Sequence, residues 1–207
     1  MEFIKSEKYR NIGYFFLIVL IVAVSILHGQ KEKKVKESKD KKLFLTTGLM
    51  IRKAVEIPAS ADDVWQAWTT EEGVTSFFAP KAKVELAVGG EYEMYFDPKQ
   101  PKGKRGSEGC KILSFVPGEM LSFTWNAPVY MPEVRKKHTW VVLHFKEIAQ
   151  KKTQIMMIHL GWQAGEQWQQ ALKYFDRAWE VVLARLFYRF QKEPINWKSP
   201  YTPPEKK

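Results

Sequence analysis

Histidine, cysteine and paired carboxylates are the side chains here that could do chemistry directly, and each is judged by its spacing. His159 sits near the end of a strand-like run, Thr153 to Trp162. If it faces a pocket, its imidazole could donate one hydrogen bond to a ligand carboxylate or carbonyl; otherwise it is a structural histidine bonded to backbone. His138 and His144 have no convergent partner and read as surface or sheet residues. Cys110 is the single cysteine, so no intramolecular disulfide can form. As a nucleophile it would need a neighbouring histidine and an oxyanion hole, and the spacing supports neither. There is no HExxH and no CxxC, so no metal is assigned. No strand-linked GxGxxG or phosphate loop occurs either, which leaves nucleotide binding without local support. Asp62–Asp63 and Glu71–Glu72 each begin a predicted helix, where the macrodipole is explanation enough. No catalytic residue and no cofactor is assigned, and the chain reads as a binding module, with an enzyme acting on a hydrophobic ligand as the less favoured alternative.

A second set of candidates is apolar. Trp68, Phe78, Tyr92, Met94, Phe123, Trp125, Trp140, Trp162, Phe175 and Trp179 could line a pocket or could fill the core. With His159 in place of Trp140 they form the candidate ligand-binding set. Pockets for drug-sized ligands are mostly apolar, with a few orienting polar groups. Eight tryptophans in 207 residues are hard to pack without leaving a gap.

The element that must position them lies near the end of the chain. From Glu166 to Gln191, Trp168, Leu172, Phe175, Trp179, Leu183, Leu186 and Phe190 recur every three or four positions and share one side of a helix. Gly165 and Pro194 mark its limits. A helix of roughly 25 residues is about 37 Å long, and its aromatic side has to be covered. The cover reads as strands. Leu49 to Ile57 is a first strand, and two short helices follow, one capped by Ser60 and one starting near Thr70. Antiparallel strands come next: Lys83–Val88, Glu91–Phe96, Glu108–Val116, Met120–Trp125, Thr139–Ile148 and Thr153–Trp162. The last of these is apolar on both faces and is expected to be buried on both. Residues 126–137 read as the longest irregular connection. This order predicts an α+β fold, an antiparallel sheet covered on one face by helices.

The chain's two ends read differently. Ile12 to Leu27 is an uninterrupted apolar run, at the border between a spanning helix and a signal peptide. Residues 1–29 are read as one N-terminal membrane segment, with export after signal cleavage as the alternative; orientation is left open. Residues 30–48 are a charged linker, and residues 31–42 alone hold seven lysines against three acids. The folded domain spans 49–191, and 192–207 is a Pro-rich basic tail. The net charge of +10 is spread over the linker and loops, and the aromatics follow core periodicity, so nucleic acid is not expected. Attraction to anionic lipid is compatible with it.

Resemblance adds a family. The ordered series Pro58–Trp65 (PASADDVW), Ala67–Gly73 (AWTTEEG), Phe77–Pro80 (FFAP), Gly89–Gly90, Pro117–Glu119, Phe123–Trp125 and His159–Trp162 (HLGW) resembles the AHSA-like family. That family is named for activators of a heat-shock chaperone ATPase and belongs to the START-like (SRPBCC) helix-grip superfamily. The likeness covers about residues 50–190. It implies a sheet gripping a long C-terminal helix around a deep hydrophobic cavity that takes lipids or other apolar small molecules. His159 occupies the strand-end His-x-Gly-aromatic position of the pattern. A chaperone ATPase is implied as a possible protein partner. The membrane-type leader departs from most cytosolic members and weakens that second implication.

Overall fold

The computed structural model describes residues 49–204, and the expectations for residues 1–29 and 30–48 lie outside the described residues. Strand β1 is Ile51–Ile57; helices α1 (Ala61–Thr69) and α2 (Glu71–Thr75) follow it. Both helices start as the sequence indicates. Ser60 accepts a hydrogen bond from the Asp63 N–H at 3.2 Å and Thr70 from the Gly73 N–H at 2.9 Å, with acids in each first turn. Next come β2 (Lys81–Val84), β3 (Tyr92–Tyr95), β4 (Ile112–Val116) and β5 (Met120–Trp125). After β5 the chain forms a short helix, α3 (Pro132–Lys136), then β6 (Thr139–Ala149), β7 (Lys152–Leu160) and the long α4 (Glu166–Gln191).

Five strands form one antiparallel sheet in the order β1-β7-β6-β5-β4, and β2 pairs with β3. The two sheets are stitched together by a Glu91–Lys111 bridge and by Tyr92 N–H donating to the Cys110 carbonyl. This is the α+β architecture expected from the element order, in the helix-grip form that the family resemblance implies.

Local details differ for physical reasons. β2 stops at Val84, because the Gly90 N–H closes a turn on Ala87 and the Gly89 N–H bonds to the Ile112 carbonyl. The connection at 126–137 is not wholly irregular. It contains α3, whose orphan Glu133 N–H is satisfied at 2.7 Å by Gln167 of α4, a cap supplied from 34 residues away. β7 is not buried on both faces. Thr153, Ile155, Met157 and His159 are buried, whereas Gln154, Met156, Ile158 and Leu160 are half-buried on the opposite side. Their apolar character exceeds the cover they receive among the described residues.

The Pro-rich tail packs back on the domain. Ile195 is buried and donates its N–H to the Ser76 carbonyl; the Trp197 indole donates to the Thr75 carbonyl at 2.7 Å; Tyr201 stacks on Tyr188. The tail therefore pins the end of α2 to the C-terminal half of α4.

α1 and α2 approach each other closely at Gly73. A Cβ on Gly73 would stand 2.2 Å from the Gln66 carbonyl oxygen and 2.7 Å from the Ala67 Cα, neither of which can rotate away. Gly73→Ala is expected to destabilise the domain by about 3 kcal/mol, read as a shift of the urea midpoint at unchanged slope.

Candidate functional site

The aromatic core is a single cluster that reaches solvent at one end. Trp68 packs edge-on to Phe77 at 5.0 Å and to Phe78 at 5.6 Å. Phe78 in turn stacks on Trp125 at 5.5 Å and touches Trp179 at 5.7 Å, with Trp125 and Trp179 5.5 Å apart. Three elements thus meet at Phe78: the segment after α2, the end of β5, and the middle of α4. Beyond Phe78, Trp125, Phe175 and Trp179 the chain does not close. A cavity of about 1430 Å³ opens there, bounded by α4, the start of β1 and the loops at 96–107 and 125–130. It exceeds the roughly 300–1,000 Å³ of drug-sized pockets. Leu172, Ala178, Val181 and Val182 continue its apolar wall along α4.

Its mouth is polar and shaped by one arginine. Arg135 of α3 donates to the carbonyls of Ala127 (2.5 Å), Gly103 (2.9 Å) and Gly106 (3.1 Å), and to Asn126 Oδ1 at 3.3 Å. The guanidinium fork thereby ties both mouth loops to α3 without using a carboxylate. Arg105 pairs with Glu108 at 2.7 Å and lies 4.3 Å over the Tyr95 ring. Tyr130 and Tyr174 meet edge-on across the opening, 6.4 Å between centroids, and both are exposed.

Behind the wall His159 is fully buried and bonded on both nitrogens. Its Nδ1 accepts from the Trp179 indole N–H at 2.9 Å, so the ring proton resides on Nε2 and is donated to Thr139 Oγ1 at 2.7 Å. The Thr139 hydroxyl then donates to the Trp125 carbonyl at 2.9 Å. Burial drives the His159 pKa down to about 3, because nothing in this site solvates a charged ring. The histidine is neutral at physiological pH and acts by holding Trp179 and the end of β5 in register.

The ten candidate residues thus separate. Phe78, Trp125, Phe175 and Trp179 line the cavity. Trp68, Tyr92, Met94, Phe123, His159 and Trp162 are buried and do not line it. Tyr92 gives its hydroxyl to the Trp68 carbonyl at 2.8 Å, Phe123 packs on the Tyr92 ring at 4.4 Å, and Trp162 donates to the His159 carbonyl at 3.0 Å. Trp140 is on the outer sheet face over Gly161, partly exposed. Phe96, Tyr130, Tyr174 and the mouth arginines also line the cavity and are not among the candidates. Phe96 could have been found, since it continues the Tyr92–Met94 face. Cys110 is buried, and burial pushes its thiol up to about 12, so it is not poised as a thiolate. Among the described residues no group of His, Cys, Asp or Glu is gathered to hold a metal, and no helix is long and apolar enough to cross a membrane.

Comparison with known proteins adds the following. The family model described as Activator of Hsp90 ATPase homolog 1-like protein matches residues 58–190. A search of curated proteins finds no match. Among solved structures, an HSP90 activator from Plasmodium falciparum is similar at a TM-score of 0.55 and 14% identity, covering 71% of this chain and 99% of that one. The Aha1 dimer from Colwellia psychrerythraea gives 0.54 and 16%, covering 70% and 98%. CalU16 from Micromonospora echinospora gives 0.53 and 21%, covering 70% and 76%. At these identities the likeness is one of fold.

Proposed function

Because the chain belongs to the Activator of Hsp90 ATPase homolog 1-like family, we propose that its folded domain is a non-enzymatic START-like module that binds an apolar small molecule or lipid in the cavity beside α4. The observation that supports this reading is the open volume of about 1430 Å³ beside α4, floored by the core rings of Phe78, Trp125, Phe175 and Trp179 and walled by the half-buried Leu172, Ala178 and Val181. Apolar surface left facing water is unfavourable by about 25 cal/mol per Å², and an apolar occupant removes that cost. The apolar run at residues 12–27 belongs to the same proposal as a membrane tether, which would keep the module near its ligand supply. Titration with a neutral environment-sensitive naphthylamine tests it. A blue-shifted, saturable signal at one site per chain is expected. Signal no greater than that of an empty carrier would reject the reading.

A second reading is favoured by the family description and by the Plasmodium relative named as an HSP90 activator. In it the module docks on a chaperone ATPase and raises its turnover. A chaperone ATPase assay decides the matter: stimulation that persists when the cavity is filled would favour this role over ligand binding.

A further inference from the structure

The charges around the cavity mouth specify the occupant more closely than its wall does, and this step rests on the cavity reading above. Seven cationic side chains line the cavity against two carboxylates, Asp97 and Asp176. Only one of the two acids is paired with a cation among the described residues. Asp176 is held by Lys53 at 2.6 Å, and Asp97 accepts from the Lys99 N–H and the Gln100 side chain. Three of the cations are committed, Arg105 to Glu108, Arg135 to the loop carbonyls and Arg185 to the Tyr201 carbonyl at 2.9 Å, and a fourth, Arg52 at the start of β1, reaches the Met50 sulfur at 3.9 Å. The side chains of Lys104, Lys173 and Arg177 are exposed and make neither ion pair nor hydrogen bond among the described residues.

We propose that the ligand is an anionic amphiphile, its apolar body against Phe78, Trp125, Phe175 and Trp179 and its single anionic end at Lys104, Lys173 and Arg177. Further along α4, Ala178, Val181 and Val182 carry no charge and Arg185 is already bonded to the Tyr201 carbonyl, so the anion stays with the three exposed cations while the body goes in. Clefts with low-dielectric walls focus the field of like charges at their opening, and mutual repulsion among these three cations is relieved by one anion. A neutral amphiphile would fill the wall equally well and leave the cations as they are. Carboxylate and phosphate monoester share this chemistry, and the test separates them.

The full chain is reconstituted in neutral phosphatidylcholine nanodiscs and titrated calorimetrically with decanol, decanoate and decyl phosphate, with empty discs subtracted. The anions are expected to bind roughly tenfold tighter than decanol at low salt, an advantage that shrinks as ionic strength rises. The triple variant K104Q/K173Q/R177Q should lose that advantage and keep its affinity for decanol, which also shows that it is folded. The tighter of decanoate and decyl phosphate names the headgroup. Equal binding of decanol and both anions would overturn the anionic assignment and leave the apolar cavity standing. No binding of any of the three would overturn both.

Discussion

Replacing His159 with alanine is expected to lower the unfolding free energy by about 3–5 kcal/mol, one of the largest single-residue effects in the domain. The imidazole fills a fully buried site, and its removal also leaves the Trp179 indole N–H without its acceptor and takes one of its two partners from the Thr139 hydroxyl, which keeps the Trp125 carbonyl. His159→Gln, which can offer both an acceptor and a donor, should recover part of the loss. The pH dependence separates this histidine from the rest of the core. Its folded pKa of about 3 lies below the ordinary value of 6.5. Between these limits the unfolded chain binds a proton that the folded chain excludes. The stability His159 contributes is therefore complete above about pH 6.5 and is lost as pH falls towards 3, at up to about 1.4 kcal/mol per pH unit. Urea unfolding of wild type and His159→Gln from pH 7 to pH 4 should give curves that converge on acidification. Curves that stay parallel would mean that the histidine is solvated or already charged.

Ala178→Trp should block binding with little cost to the fold. Ala178 lies on α4 between the levels of Tyr174 and Val182, half-buried, with its methyl facing the cavity. An indole there projects into empty volume rather than into packed core. The expected stability change is under about 1 kcal/mol, mostly the lower helix propensity of tryptophan. Affinity for the naphthylamine probe should fall at least tenfold, since the space between Trp179 and the mouth loops is taken. A folded variant that binds as well as wild type would place the ligand elsewhere.

Residue types and spacing revealed the architecture well. The α4 stripe, the Ser60 and Thr70 caps and the hairpin turns are local signals, each readable from a few neighbouring residues, and the helix bounds agree with the glycine and proline that bracket them. The site was legible only in part. Phe78 and Trp68 both follow core periodicity, yet Phe78 meets the opening while Trp68 is sealed inside, its Nε1 the one buried side-chain nitrogen or oxygen without a hydrogen-bond partner among the described residues. Periodicity shows that a residue is apolar on a face; it does not show whether that face meets another element. The mouth was less visible still. Arg135 reaches acceptors up to 32 residues away in sequence, and Gln167 caps α3 from the far end of two strands. Such contacts are made by tertiary placement, with no local pattern to announce them. His159 shows the same limit in another form: its position was noted, and its two side-chain partners, each 20 residues away, decide that it holds the wall in place.

The most direct measurement is native mass spectrometry of the full chain released from neutral nanodiscs after incubation with a cellular lipid extract, wild type beside Ala178→Trp. One added mass per wild-type chain is expected, in the range of a small amphiphile, and none on the variant. A wild-type chain that takes up no mass, or a variant that takes up the same mass to the same extent, would contradict binding in the cavity.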